Sequence, residues 1–130
     1  MTLMEAPNRP RRARREQPAQ DDTARVCWLL QAATAAAFAV PVDELRAPSR
    51  RAPATAFARH CAMYLAHVSL GLRYGAIGRL FRRDRTTAAY ACRRIEDARD
   101  DPAIDRALQT LEGLCGDLMR GMLSCPRVRP

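Results

Sequence analysis

Residues 74–98 read YGAIGRLFRRDRTTAAYACRRIEDA and decide the fold. The pattern predicts a short helix over about 74–81, a tight turn at 82–84 and a longer helix to about 99. Ile77, Leu80 and Phe81 form the expected buried face of the short helix. Because Gly78 in its middle costs about 1 kcal/mol of helix propensity relative to Ala, we expect a close helix–helix approach there.

The longer helix has two faces of different chemistry. Its inward stripe is Ala88, Ala91, Cys92, Ile95 and Ala98, and its outward face carries Arg85, Thr86, Ala89, Tyr90 and Arg93. A short helix, a tight turn and a longer helix that starts with Arg and Thr form the arrangement of a helix-turn-helix whose second helix enters the major groove of DNA. The alternative is that this helix start is simply solvated.

The start of this longer helix carries the candidate base-reading residues. We expect the Asp84 carboxylate to cap the helix by accepting backbone N–H groups. Arg85 and Thr86 then point into the groove, where Arg suits guanine and the Thr methyl suits the methyl of thymine.

The remaining chain predicts an all-α helical bundle. A disordered basic arm over 1–22 is followed by a helix at about 24–39, capped by Asp22 or Thr23 and ended by Pro41. A short turn at 42–45 and a polar loop at 46–53 precede a third helix at about 54–69. That helix has an expected buried stripe of Phe57, Cys61, Leu65 and Val68, while Arg59 and His60 point elsewhere.

The charge is concentrated in the middle of the chain. Residues 46–94 carry eleven Arg and a single acid, Asp84, while the net charge of the whole chain is +8. A surface built only for solubility intersperses its signs, whereas a concentrated positive charge is balanced by a polyanion. Double-stranded DNA is therefore the expected partner, with a solvated basic face as the alternative.

Composition excludes several chemistries. All 22 basic residues are Arg, so the 130 residues hold no P-loop lysine and no lysine base. The five cysteines have no metal-ligand spacing, and His60 and His67 lie about 10.5 Å apart on one helix. We expect no metal, no cofactor and no enzyme activity, and a reducing, cytoplasmic environment. RNA is disfavoured because exposed aromatic side chains are nearly absent.

The apolar run 26–40 follows several arginines and so loosely resembles an export signal. The run is too short to span a membrane, which takes about 20 residues, and its large side chains follow amphipathic helix spacing. The cluster of Arg11, Arg12, Arg14 and Arg15 lies ten or more residues before it. We therefore expect no membrane partner.

Five ordered segments resemble the C-terminal DNA-binding domain (domain IV) of the bacterial chromosomal replication initiator DnaA, over about 25–118. They are SRRAPATAFAR (49–59), RHCAMYLAH (59–67), AIGRLF (76–81), RDRTT (83–87) and ACRRIE (91–96). The resemblance implies a helix bundle with a Trp-repressor-like helix-turn-helix that recognises short, asymmetric DNA boxes.

The resemblance also implies individual roles. Arg51 matches an arginine that enters the minor groove, and Arg59 one close to backbone and bases. Asp84, Thr86 and Thr87 match the signature aspartate and paired threonines of that family. Arg85 stands where the family has a histidine, and the turn FRRD is one residue shorter than usual. We expect retained DNA affinity with altered base preference, with guanine favoured opposite Arg85.

The domain organisation expected from this comparison is an arm (1–22), a DNA-binding domain (23–118) and a helix end with tail (119–130). Since only about 24 residues precede the resemblance and no lysine is present, we expect no ATP-driven motor and no nucleotide partner. Phosphate contacts are assigned to Arg50, Arg59, Arg73, Arg82 and Arg83. The expected function is sequence-specific regulation of transcription or replication initiation at the nucleoid. The alternative is a protein-interaction module with weak, sequence-blind DNA binding.

The last helix, which Pro102 opens and which continues to about Leu123, carries a heptad seam. Its residues are Ile104, Leu108, Leu111, Cys115, Leu118 and Met122. Two uses of this seam stay open, namely cover for the domain's own core and a homodimer.

Overall fold

The computed structural model describes residues 20–47 and 52–124 of the chain. Within these ranges there are six helices and no strand, so the all-α prediction is confirmed. The helices are α1 (Gln20–Ala37), α2 (Val42–Arg46), α3 (Pro53–Val68), α4 (Tyr74–Phe81), α5 (Arg85–Ala98) and α6 (Pro102–Ser124). The predicted arm over 1–22 lies outside the described residues except for its last three, which already belong to α1.

Helix α3 is the centre of the bundle. It contacts α1, α2, α4, α5 and α6, and nine of its 16 residues are buried. Ala58, Ala62 and Ala66 are among them and are fully buried, so that neighbouring helices approach its backbone closely. Pro53 occupies the first helical position, where its fixed φ and missing N–H are tolerated.

Helix α6 covers the core of its own chain. Leu108, Leu111 and Cys115 are buried, and Ile104 packs against the same core. The main helix partners of α6 in the described part of the chain are α1 and α3. The first part of the predicted heptad seam therefore serves the fold, and any self-association depends on Leu118 and the residues after it.

Three details of the sequence-based fold are wrong. Helix α1 begins at Gln20, so neither Asp22 nor Thr23 is its cap. Val68 is 49% exposed because it is the last residue of α3, beyond the helices that cover the rest. Leu80 is 38% exposed because Ile77 and Phe81, four residues apart, already fill the buried line of the two-turn helix α4.

The cysteines within the described ranges are buried and free. Burial raises the pKa of the Cys61 thiol to about 12 and that of Cys115 to about 11, so both are protonated thiols at neutral pH. No group of three potential metal ligands lies together in the described part of the chain. No helix found there combines the length and the apolar character needed to cross a membrane.

Candidate nucleic-acid interface

The interface is built around the turn that joins α4 to α5. Helix α4 ends where Arg82 adopts the left-handed conformation, with φ 54° and ψ 47°, and the Arg82 N–H donates to the carbonyl of Arg79. A glycine is favoured in this conformation, since an L side chain is strained there by about 1–2 kcal/mol. The turn occupies residues 82–84 as predicted, with Arg82 in the strained position.

Gly78 allows this turn to fold back onto α4. The N–H of Arg83 donates to the Gly78 carbonyl at 2.7 Å, and a Cβ atom on Gly78 would lie 2.6 Å from the carbonyl oxygen of Arg83. The predicted close approach is thus confirmed, and its partners are the turn backbone and the first residue of α5, since the Arg85 backbone nitrogen would lie 3.2 Å from that Cβ atom.

Asp84 occupies the N-cap position of α5, and its role differs from the prediction. Its backbone is extended, and its carbonyl accepts the N–H of Ala88, but its carboxylate makes no capping hydrogen bond. Asp84 is exposed, and the first-turn N–H groups at this open end of the helix receive no hydrogen bond from its carboxylate.

Helix α5 places its polar residues outward as predicted. Arg85 and Thr86 are exposed and Thr87 is half-buried, while Ala88, Ala91, Cys92 and Ile95 are buried against α3 and α4. The fifth residue of the predicted stripe, Ala98, is half-buried. The centre of the exposed face is the line of Thr86, Tyr90 and Arg93, at spacings of four and three residues.

Arg59 lies inside the protein, which corrects the expectation that it points away from the core. The residue is only 5% exposed. The Nε group donates to the carbonyl of Leu45, and the Nη2 group donates to the carbonyls of Glu44 and Ala47. The physical reason is that α2 packs against α3, so the buried guanidinium takes the carbonyl groups at the end of α2 as acceptors. Burial, followed by the charge of Arg83, lowers the pKa of Arg59.

Arg83 is half-buried and bonds to the same loop end. Its Nη2 group donates to the carbonyl of Ala47 at 3.0 Å, and its Nη1 group donates to the carbonyls of Phe81 and Arg82. The Ala47 carbonyl thus accepts from both Arg83 and Arg59. This one acceptor connects the helix-turn-helix with the start of the polar loop, directly after α2.

Within the described part of residues 46–94, five further arginines are exposed and donate no side-chain hydrogen bond. They are Arg73, Arg79, Arg82, Arg85 and Arg93. A concave surface beside the turn brings four predicted residues together, namely Arg82, Arg83, Asp84 and Arg85, and adds Gly75, Gly78 and Arg79 to its lining. This surface is strongly positive, which suits a phosphate backbone.

The predicted residues do not all come together. Arg73 is exposed at the N-terminal end of α4 and is not part of this concave surface. Arg50 and Arg51 lie outside the described residues.

The sequence-based selection missed Arg79 and Tyr90. Arg79 is exposed one helical turn after Gly75, and the exposed side of an amphipathic α4 was a sufficient signal for it. Tyr90 is 56% exposed on the outward face of α5. The sequence pattern places Tyr90 on that face but indicates no function for it.

The fold and this surface define a helix-turn-helix DNA-binding protein. The family model of the bacterial DnaA protein helix-turn-helix matches residues 29–95, which is just over half of the 130 residues. The chain belongs to this family, and double-stranded DNA is the partner that the family supports. DNA-binding domains of this family are typically non-enzymatic.

Proposed function

We propose that this protein is a sequence-specific regulator of transcription or replication initiation. It acts at the nucleoid in the cytoplasm by occupying its DNA site and not by hydrolysing ATP. The observation that carries this proposal is the open end of α5, where Arg85 and Thr86 are exposed beside unpaired guanidinium groups. The lack of lysine in all 130 residues supports the part of the proposal that concerns ATP, because a P-loop requires one.

Base readout is assigned to Arg85 and Thr86. Arg85 donates a bidentate pair of hydrogen bonds to guanine, and the Thr86 methyl contacts the methyl group of a thymine. Asp84 and Thr87 flank them, and Asp84 sets the start of the helix through its backbone carbonyl. Each contact of this kind discriminates against the wrong base by about 1–3 kcal/mol.

Phosphate contacts are assigned to the exposed arginines around the turn, which are Arg73, Arg79, Arg82 and Arg93. Arg50 joins them and Arg51 enters the minor groove, on the strength of the sequence and the family resemblance. These contacts supply most of the affinity and make it fall steeply with salt.

Arg59 and Arg83 act differently in this proposal. Because both donate to the Ala47 carbonyl, they position the loop end relative to the start of α5. Replacing Arg59 or Arg83 therefore changes how the polar loop lies relative to the start of α5 more than it changes the number of phosphates bound.

The test is selection of bound duplexes from a random DNA pool, using the purified protein and a scrambled-sequence competitor. We expect one enriched motif of a few base pairs. If all duplexes bind weakly and equally while the protein remains folded, the chain is a protein-interaction module. Sedimentation with and without the enriched duplex tests whether the chain forms a homodimer through α6, the second use of the heptad seam. One subunit per duplex would argue against that dimer.

A further inference from the structure

Tyr90 stands out on the exposed face of α5. It follows Thr86 by one turn and precedes Arg93 by one turn on the same outward line. With 56% of its surface exposed, the phenol ring contributes little to the core. A single exposed aromatic residue is ordinary on a protein surface, but this one lies on the line that also holds a proposed base-reading residue.

The ring of Tyr90 is held in place from below. Its edge-to-face contact with the His60 ring has a centroid separation of 5.9 Å and an interplanar angle of 86°. The His60 ring is fixed in turn, because Arg94 Nη1 donates to His60 Nδ1 at 3.0 Å. The Arg94 guanidinium lies 5.4 Å from the ring centroid of Phe57.

This support keeps His60 neutral. Burial above all, and then the charges of Arg94, Arg59 and Arg83, lowers the pKa of His60 to about 4. A neutral imidazole has a free lone pair at Nδ1, which is what the hydrogen bond from Arg94 requires. The contact with this held imidazole restricts the orientation of Tyr90 before any ligand arrives, which favours a role as a contact residue.

The outward line also shows where contact with DNA ends. Asp97 is the next residue on the line after Arg93, and Glu96 is exposed beside it. Carboxylates repel phosphate, so the part of α5 that faces DNA extends from Arg85 to Arg93. Tyr90 lies inside that part.

We propose that Tyr90 is a specificity-determining residue whose ring contacts the C5-methyl group of a thymine in the major groove. Recognition helices in other folds read successive bases with residues three to four positions apart, as Thr86, Tyr90 and Arg93 are here. Four residues of helix advance about 6 Å, so this thymine lies about two base pairs from the one at Thr86. The inference rests on the proposed function and adds a second reading position to it.

The experiment removes the methyl groups one at a time. Each thymine of the selected duplex is replaced by deoxyuridine, and the dissociation constants of the wild type, Tyr90→Ala and Tyr90→Phe are measured. For the wild type we expect a loss of about fourfold at the thymine that Tyr90 contacts, the factor that corresponds to one buried methyl group. Tyr90→Ala abolishes the loss at that thymine and keeps it at the Thr86 thymine, while Tyr90→Phe behaves as the wild type.

Other outcomes overturn the inference. If the uracil scan of Tyr90→Ala equals that of the wild type, the ring contacts no thymine methyl. If Tyr90→Phe weakens all duplexes by one factor, the hydroxyl group binds phosphate instead. Thermal melting of each variant, with Tyr90→Leu as a second apolar replacement, separates these results from a folding defect. A wild type that selects no motif overturns the proposed function together with this inference, whereas a selected motif without a Tyr90-dependent thymine overturns the inference alone.

Discussion

The two ends of helix α5 carry the same residue type in opposite circumstances. At the N-terminal end, Arg85 is exposed, forms no ion pair among the described residues and follows an aspartate that does not cap the helix. At the C-terminal end, Arg99 donates from Nε to Asp105 at 2.6 Å, from Nη1 to the hydroxyl of Tyr64 at 3.2 Å, and also to Glu112. Burial disfavours the Arg99 charge, but the hydrogen bonds with Glu112, Asp105 and Tyr64 outweigh it and raise the pKa of Arg99.

The difference teaches how one chain uses a single basic residue for two purposes. Residues 95–130 hold seven acids, so an arginine there finds carboxylates and joins α3, α5 and α6. Residues 46–94 hold only Asp84, so the described arginines there bond to backbone carbonyls or to neutral side chains, or are left for a polyanion. The C-terminal part of the chain and the DNA interface therefore differ in whether carboxylates neutralise their arginines, more than in the number of those arginines.

The largest effect on folding is expected at the paired end. Arg99→Ala leaves the half-buried Asp105 and Glu112 without their partner, and we expect a loss of about 2–3 kcal/mol in the free energy of unfolding, after allowance for partial solvent screening. Arg85→Ala, the matched change at the open end, stays within about 0.5 kcal/mol. Urea denaturation measures both, and equal losses would contradict the comparison.

The next effect is expected where α4 supports the open end. Gly78→Ala forces its Cβ atom against the Arg83 carbonyl, and we expect a loss of about 1–3 kcal/mol together with weaker DNA binding. Gly75→Ala is the control, since only the flexible end of Arg79 lies near its Cβ position, at 4.0 Å. The control gains about 0.5–1 kcal/mol from helix propensity. If Gly78→Ala is as stable as the control, the close approach does not constrain the turn.

A smaller effect concerns His60 of α3, which lies against the middle of α5 among guanidinium groups. The pKa of His60 is about 4 in the folded chain, against an ordinary value of 6.5. Between these two pH values the unfolded chain therefore binds the proton more tightly than the folded chain does. Stability attributable to His60 is complete above about pH 6.5 and is lost as the pH falls toward 4. We expect a loss of about 1 kcal/mol for this partly solvated ring. The comparison of wild type with His60→Gln over pH 4–7 isolates it, and identical pH profiles would be the contrary finding.

The smallest effect separates exposed from inward-bonded arginines. Arg82→Gln removes one proposed phosphate contact, so the slope of log K against log salt decreases by about 0.9. Arg83→Gln leaves the slope nearly unchanged and weakens the selected duplex more than a scrambled one. Fluorescence anisotropy at several salt concentrations measures both variants. Equal slope changes would show that Arg83 binds phosphate as directly as Arg82 does.

The sequence predicted the parts of this molecule that depend on local pattern. Apolar spacing and turn residues located α4, the turn and α5. Gly78, which is unfavourable in the middle of a helix, indicated a close approach. The partners of the arginines could not be predicted in this way. Arg59 bonds to carbonyls 12 to 15 residues away and Arg83 to one 36 residues away, distances in sequence that no helical period reports. That the Asp84 carboxylate does not cap α5 could not be predicted for a related reason, since residue type alone does not fix a side-chain rotamer.

The most direct measurement compares the base preference of the wild type with that of Arg85→Ala in one random duplex pool. Because Arg85 is exposed at the open end of α5, its loss should remove the guanine preference at one position and leave the other positions of the motif enriched as before. Enrichment of the same motif by both proteins, with guanine retained, would contradict the claim that this end of the helix reads the bases.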